Sequence, residues 1–416
     1  MQAADVTLGI PSFNTMNTQD YIELEQQYGA DNYHPLDVVI TKGEGVWVWD
    51  IEGKKYLDFL SAYSALNQGH CHPKILQAMI KQAQQVTLTS RAFRNDQLGK
   101  FYQKLSEISG LPKVLPMNSG AEAVETAIKA IRKWAYKVKG VPENQAEIIV
   151  CGNNFSGRTI SLISFSTEEQ YQDGFGPLTT GFKVIPFGDA EALEKAITPN
   201  TAAFLVEPIQ GEGGIIVPPH GFLKQAEQIC RHHHVLLVFD EIQTGLGRTG
   251  KMFAYQYEDV KPDGITVGKA LSGGFYPISA FISTEEVMGV FQPGDHGSTF
   301  GGNPLAAAIG IAALDVIVEE ELPEKALKLG EYFIENLQSI KSSYIKEVRG
   351  KGLLIGMELY PEAGGARRFC KALAKEGLLA KETRDNVIRF APPLVISKDE
   401  IDWALEKIER VLTTTG

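Results

Sequence analysis

Lys269 follows Gly268, which closes a short β-rich run, Ile265 to Val267. The residues after it are Ala, Leu, Ser and two glycines, so its sequence neighbours offer no acid. A lysine at the end of a core strand can lose its proton to burial and then attack a carbonyl. Other reactive residues stand at the ends of similar runs. Asn118, Ser119, Gly120 and Ala121 follow "VLPM" and open a helical pattern. Small residues there offer free N–H groups to a phosphate. Asn154, Phe155, Gly157 and Arg158 follow "IIVCGN", and Gln210, Gly211 and Glu212 come after "FLVEP". Asp240, Glu241 and Gln243 close "VLLVF", and "HGSTFGGN" sets Ser298 and Thr299 between glycines.

Singly, each has an ordinary reading. Ser119-Gly120 can be a plain helix cap, Asp240 a satisfied buried carboxylate, and Lys269 a side chain reaching back to solvent. Together they place a phosphate cradle, an acid and a lysine at one sheet edge. That is the set pyridoxal phosphate needs: an amine to condense with its aldehyde and an acid to keep its pyridine nitrogen protonated. A rival reading comes from "GLGRTG", Gly245 to Gly250, which fits the dinucleotide pattern G-x-G-x-x-G and would suit a nicotinamide-dependent dehydrogenase. That pattern requires a strand directly before it and a helix directly after. Here "DEIQT" intervenes and "KMFAYQYEDV" opens a helix poorly.

The elements that must position these residues alternate. "EGVWVWDIEGKKYLDFL", residues 44–60, has the alternation of a hairpin, and a helix is expected over 73–86. From "KVLPM" to "GITVG", short Val/Ile/Leu/Phe-rich strands alternate with helices, the pattern of an α/β fold with a mainly parallel sheet covered on both faces. After "NPLAAAIGIAALDVIVEEEL" the pattern becomes that of a small α+β unit. The expected division is a large cofactor domain over 75–315 and a small domain built from 1–74 and 316–416.

The chain has 416 residues, 44% of them hydrophobic, and a formal net charge of −11. The acidic balance argues against nucleic acid or an anionic membrane as a partner. No apolar stretch reaches the roughly 20 residues of a membrane span. The first twenty residues lack the basic and apolar pattern of a leader, so a cytoplasmic protein is expected, a processed mitochondrial form being the alternative. Cys71, Cys151, Cys230 and Cys370 form no Cys-x-x-Cys pair, and "HCH" and "RHHH" sit in a loop and at a helix end, so no metal site is expected.

The stretch "VFDEIQTGLGRTGKMFAYQYEDVKPDGITVGKALSGG" resembles the signature of the class-III, fold-type I pyridoxal-phosphate aminotransferases, and the resemblance runs from about Tyr28 to the last helix. "YGADNYHPLDVV", "FLSAYSALNQGHCHPKI", "NNFSGRT", "VEPIQGEGGIIVP", "GDHGSTFGGNPLAA" and "IRFAPPL" resemble the members of that class acting on the δ-amine of ornithine. The resemblance implies a seven-stranded-type sheet and transfer of that amine to 2-oxoglutarate. The products would be glutamate and glutamate-5-semialdehyde, which cyclises to pyrroline-5-carboxylate. It implies that Lys269 binds the cofactor and shuttles the proton, that Asp240 pairs with the ring nitrogen, that Gln243 bonds the ring oxygen, and that Phe155 covers the ring. Gly120, Ala121, Ser298 and Thr299 match cofactor positions, Thr299 serving the neighbouring subunit of a homodimer with shared sites. Tyr33, Tyr63, Arg158, Glu212 and Arg389 match substrate positions, the last two as a pair near the reacting end. Ser156 and Phe300 depart from the residues some relatives carry. Members acting on acetylornithine or 4-aminobutyrate are the nearest alternatives; Tyr33 together with Tyr63 favours ornithine.

Overall fold

The structure is a computed structural model and describes residues 16–414. The first fifteen residues, part of the stretch read for a leader, lie outside the described residues.

A seven-stranded sheet forms the centre. Its strands run in the order Lys113–Met117, Ser279–Ser283, Gly264–Val267, Leu236–Asp240, Thr201–Val206, Glu147–Cys151 and Phe182–Ile185. The last five are mutually parallel; Ser279–Ser283 runs against both of its neighbours. The four strands from Ser279–Ser283 to Thr201–Val206 are buried at every position. Helices cover both faces, so these strands are continuous apolar runs rather than alternating ones. Helix Gly120–Trp134 buries Val124, Ile128, Ile131 and Trp134 on one side. Helix Pro304–Glu319 packs on helices Pro73–Ala83 and Leu98–Ser109. At Gly310 a Cβ would stand 2.6 Å from the Phe101 ring, so this approach requires glycine.

Two smaller sheets flank the large one. One joins Ile40–Glu44, Trp47–Asp50 and Lys55–Asp58 to Leu378–Leu379, so the two ends of the chain share a sheet. The other orders Ile345–Lys351, Leu354–Leu359, Val387–Phe390 and Lys381–Thr383. The expected hairpin is therefore two strands of a longer meander. Its turn is closed by the Asp50 carboxylate, which accepts the N–H groups of Glu52 and Lys54 at 3.0 and 2.8 Å. The helix expected over 73–86 ends at Ala83, and one loose turn follows in which the Val86 N–H donates to the Gln82 carbonyl at 3.1 Å and the Gln82 side chain to the Val86 carbonyl at 2.9 Å.

One segment departs from ordinary backbone. Ser61, Ala62, Tyr63 and Ser64 have φ of 45°, 48°, 59° and 73°, a full turn of left-handed helix in which no residue is glycine. Left-handed helix costs L-residues roughly 1–2 kcal/mol each. Tertiary bonds hold it: Asp58 accepts the N–H groups of Leu60 and Ser61 at 2.9 and 2.8 Å, and the Ser61 hydroxyl donates to the Ala391 carbonyl at 2.7 Å.

Candidate active site

Beyond the carboxyl ends of the parallel strands lies a cavity of about 200 Å³, the place where open α/β sheets bind ligands. Lys269 enters it from the end of the buried strand Gly264–Val267. Its φ is +47°, an outlier for a long side chain of the kind held in place at functional sites. Burial pulls its pKa below the ordinary lysine value. The absence of acids among its sequence neighbours does not extend to space. Glu212, Asp240 and Glu207 all act on Lys269 and favour its protonated form, whereas Arg389 opposes it. The lysine is therefore not shielded from acids, as the sequence suggests; burial and Arg389 outweigh them.

Opposite stands the start of helix Gly120–Trp134. The Ser119 hydroxyl accepts the Glu122 N–H at 3.2 Å, and the Glu122 carboxylate accepts the N–H groups of Asn118 and Ser119 at 2.9 and 2.8 Å. This reciprocal cap leaves Gly120 and Ala121, the first helical residues, lining the cavity with N–H groups for which a first turn has no intrahelical partner. The wall is made of small residues by necessity. A Cβ at Gly157 would stand 2.9 Å from that of Ala121, and one at Gly120 would stand 3.1 Å from Ile242. Backbone donors, space and a positive helix end together suit a phosphate.

Asp240 ends its strand fully enclosed. One oxygen accepts from the Ile242 N–H at 3.2 Å and the Thr266 hydroxyl at 3.1 Å; the other accepts from the Ser156 hydroxyl at 3.1 Å. Burial pushes its pKa up, opposed by these bonds and by the charge of Lys269. A cation beside it would stabilise the charged form further. Gln243 donates to Glu212 at 3.3 Å and to the Tyr63 carbonyl at 3.4 Å. A Cβ at Gly211 would lie 1.5 Å from the Gln243 side-chain oxygen, so residue 211 must be glycine for Gln243 to keep this position. Phe155 lines the same cavity.

Arg389, on strand Val387–Phe390, is 1% exposed and contacts Glu212 at 2.5 Å. Burial raises the Glu212 carboxyl, but Arg389 and Lys269 bring it below the ordinary range. The Arg389 guanidinium also sits 4.9 Å from the centre of the Tyr63 ring. Lys269, Asp240, Gln243, Glu212, Arg389 and Tyr63 thus form one constellation. Arg158 stacks at 3.5 Å on the Tyr171 ring and 5.5 Å from that of Phe155, at the edge of the site. Tyr33 lies in an exposed loop, near enough to Tyr63 to bear on its ionisation. Ser298 accepts from the Asn118 side chain at 2.8 Å, outside the Lys269 cavity. Thr299 and Phe300 are exposed in this chain.

Sequence reasoning passed over Glu207. It directly follows strand Thr201–Val206, whereas Asp240 is the last residue of its own strand. It lines the cavity, and one oxygen accepts the Phe155 N–H at 2.9 Å while the other has no partner among the described residues. Burial and the charge of Asp240 push its pKa up to about 8. "GLGRTG" has no strand directly before it, since Leu236–Asp240 ends earlier, and a 3-10 turn follows at Ala254–Glu258 in place of a helix. It does not have the surroundings of a dinucleotide site.

Residues 28–412 match the family model for aminotransferase class-III. An ornithine aminotransferase of Geobacillus sp. (strain WCH70) is 62% identical over 394 residues, 95% of this chain and 98% of that protein. The structure of an ornithine aminotransferase from Toxoplasma gondii, with partial occupancy of pyridoxal phosphate at its active site, superposes with a TM-score of 0.94 at 47% identity, covering 95% of this chain and 94% of that one. A structure of acetylornithine aminotransferase from Elizabethkingia anophelis superposes at 0.88 with 51% identity, covering 96% of this chain and all of that one, 100%. A strand-end lysine, a strand-end carboxylate and a small-residue helix start around one cavity agree with that match along the chain, which belongs to the class-III aminotransferases.

Proposed function

We propose that this aminotransferase uses pyridoxal 5'-phosphate and moves the δ-amino group of L-ornithine to 2-oxoglutarate, giving glutamate-5-semialdehyde and glutamate in two half-reactions. When bound, the cofactor supplies an electron-withdrawing ring that takes up the electron pair left as the substrate carbon loses its proton. The chain's residues do the rest. Lys269 holds the cofactor and, with its pKa lowered by burial, carries the proton to and from the reacting carbon. Asp240 keeps a proton on the ring nitrogen, Gln243 bonds the ring oxygen, and Phe155 covers a ring face. The amides of Gly120 and Ala121 receive the phosphate. Ser298 is a further cofactor residue, and Thr299 serves the site of a neighbouring copy in a homodimer, which accords with its exposure here.

The observation that carries the reading of a distal amine is the Glu212–Arg389 pair, its guanidinium buried and both charges acting on Lys269; Tyr33 together with Tyr63 favours ornithine among distal amines. A free arginine there would draw the α-carboxylate of ornithine inward and present the wrong amine. Paired with Glu212, Arg389 is neutralised, so ornithine enters with its δ-amine first and its α-carboxylate out toward Arg158, with Tyr63 and Tyr33 along its length. Glutamate needs the arginine freed, and its carboxylate replaces that of Glu212 in a bidentate contact.

The test is a single-turnover amine half-reaction with ornithine, acetylornithine and 4-aminobutyrate in parallel, following the visible band of the bound cofactor. Ornithine should react fastest by at least an order of magnitude. Faster reaction with acetylornithine, the substrate named for the Elizabethkingia anophelis relative, would overturn the substrate and leave the reaction class standing.

A further inference from the structure

Arg248, the arginine of "GLGRTG", plays no part in the chemistry above, yet it is one of the largest fully buried side chains. Its five N–H donors are all engaged. Nε and Nη2 donate to the Asn67 side-chain oxygen at 3.2 and 2.6 Å, and Nη2 also donates to the Ser61 hydroxyl at 3.1 Å. Nη1 donates to the carbonyls of Leu353 and Pro392 at 2.9 and 2.6 Å. None of these acceptors carries a charge. Burial opposes the charge of the guanidinium and the Asp58 carboxylate nearby favours it, while every direct contact is made through its donor fork.

The acceptors belong to three segments far apart in sequence, around residues 61–67, 353 and 392. Ser61 begins the left-handed turn that carries Tyr63, and Asn67 lies just beyond it. Pro392 follows strand Val387–Phe390, which carries Arg389. Arg248 itself hangs from the loop that continues Asp240 and Gln243. Neighbouring bonds tighten the same junction: Ala391 donates its N–H to the Phe59 carbonyl at 2.7 Å, and the Asn67 side chain donates to the Leu246 carbonyl at 2.9 Å.

We propose that Arg248 is a positioning residue that fixes the substrate side of the site, Tyr63 and Arg389, against the cofactor side, Asp240 and Gln243, by clamping the strained turn at 61–64 and the chain after Arg389 to one guanidinium. Lysine cannot replace it, because an ammonium has three donors on a flexible stem and cannot span these acceptors. The inference rests on the proposed half-reactions, and its test separates the two.

The test compares wild type with Arg248→Lys and with Ser61→Ala, which keeps the guanidinium but removes both its Ser61 acceptor and the bond from Ser61 to the Ala391 carbonyl. Hydrogen exchange is measured on the cofactor-free proteins. The amides at 60–66 should exchange at least tenfold faster in both variants, with those of strand Leu236–Asp240 unchanged. In the cofactor-loaded proteins the visible band and its pH titration should stay as in wild type. The concentrations of ornithine and glutamate that half-saturate the two half-reactions should rise about tenfold or more. Unchanged half-saturation in the loaded fraction, or an exchange increase spread evenly over the molecule, would reduce Arg248 to a stabilising residue and overturn the proposal. Should Arg248→Lys not fold, Asn67→Ser, which removes the oxygen that accepts from both Nε and Nη2 and leaves the Ser61–Ala391 bond intact, carries the same two outcomes. A wild type that fails to react with ornithine would instead overturn the substrate reading, while the exchange result would still decide the clamp.

Discussion

Burial sets ionisation at single residues in this site, and the opposing charges were placed by the fold rather than by sequence neighbours. Lys269 loses proton affinity although Glu212, Asp240 and Glu207 all surround it. Two predictions belong at this scale. Glu207 is raised from 4.5 to about 8 by burial, with Asp240 adding to the effect. The folded protein therefore binds a proton that the unfolded chain has released. That contribution to stability is fully present below about pH 4.5 and is lost as pH rises through about pH 8. Glu207→Gln keeps the acceptor for the Phe155 N–H and cannot ionise. Across that window the melting temperature of the cofactor-free wild type should fall by roughly a few °C more than that of the variant; parallel curves would show that Glu207 stays charged. The second concerns Glu212, whose carboxylate holds Arg389. Glu212→Ala leaves the arginine permanently available. The glutamate half-reaction should gain on that of ornithine, on the order of tenfold or more for one lost charged contact. Some α-transamination of ornithine should appear among the products. An unchanged ratio with only the δ-semialdehyde formed would remove Glu212 from the gate.

Elements differ in how far the sequence discloses them. Strands buried on both faces read as unbroken apolar runs, so the end of each run is legible, and with it Lys269 and Asp240; the Gly120 helix start shows instead through its Ser-Gly cap after the edge strand Lys113–Met117. Glu207 stands one residue past such a run and is legible by the same rule. The left-handed turn was not legible. "SAYS" contains no glycine or asparagine to signal positive φ. Its conformation is imposed from outside by Asp58, Arg248 and the Ala391 carbonyl. That origin gives a prediction. Ala62 is exposed at φ 48°, ψ 51°, where its Cβ is a burden. Glycine relieves that strain, of about 1 kcal/mol, at a similar entropic cost in the unfolded chain. Ala62→Gly should leave the melting temperature unchanged or raise it. Ala62→Val, with its branched side chain at positive φ, should destabilise by roughly 2 kcal/mol. A glycine variant less stable than the valine variant would mean that the turn is not strained in solution.

At the scale of the whole molecule, contacts far apart in sequence complete the site. Glu212 and Arg389 are 177 positions apart, and no spacing rule predicts their meeting; only the resemblance pointed to it. The N-terminal strands pair with Leu378–Leu379 for a similar reason, each supplying a sheet edge the other covers. Ser298 and Thr299 remain outside the Lys269 cavity of their own chain. If Thr299 completes the site of a second copy, the two defects Lys269→Ala and Thr299→Ala can compensate. A dimer mixing the two variants has one site that pairs the intact Lys269 of one subunit with the intact Thr299 of the other, and one site that lacks both. Random mixing puts half of all subunits in such dimers, and one site in two is whole, so roughly a quarter of wild-type turnover should return, above the sum of the two variants alone. Recovery should follow the time course of subunit exchange and vanish under conditions that prevent it. Activity that stays at the sum of the two preparations after exchange has been verified by mass would mean that each chain completes its own site, and that Thr299 acts, if at all, within the chain that carries it.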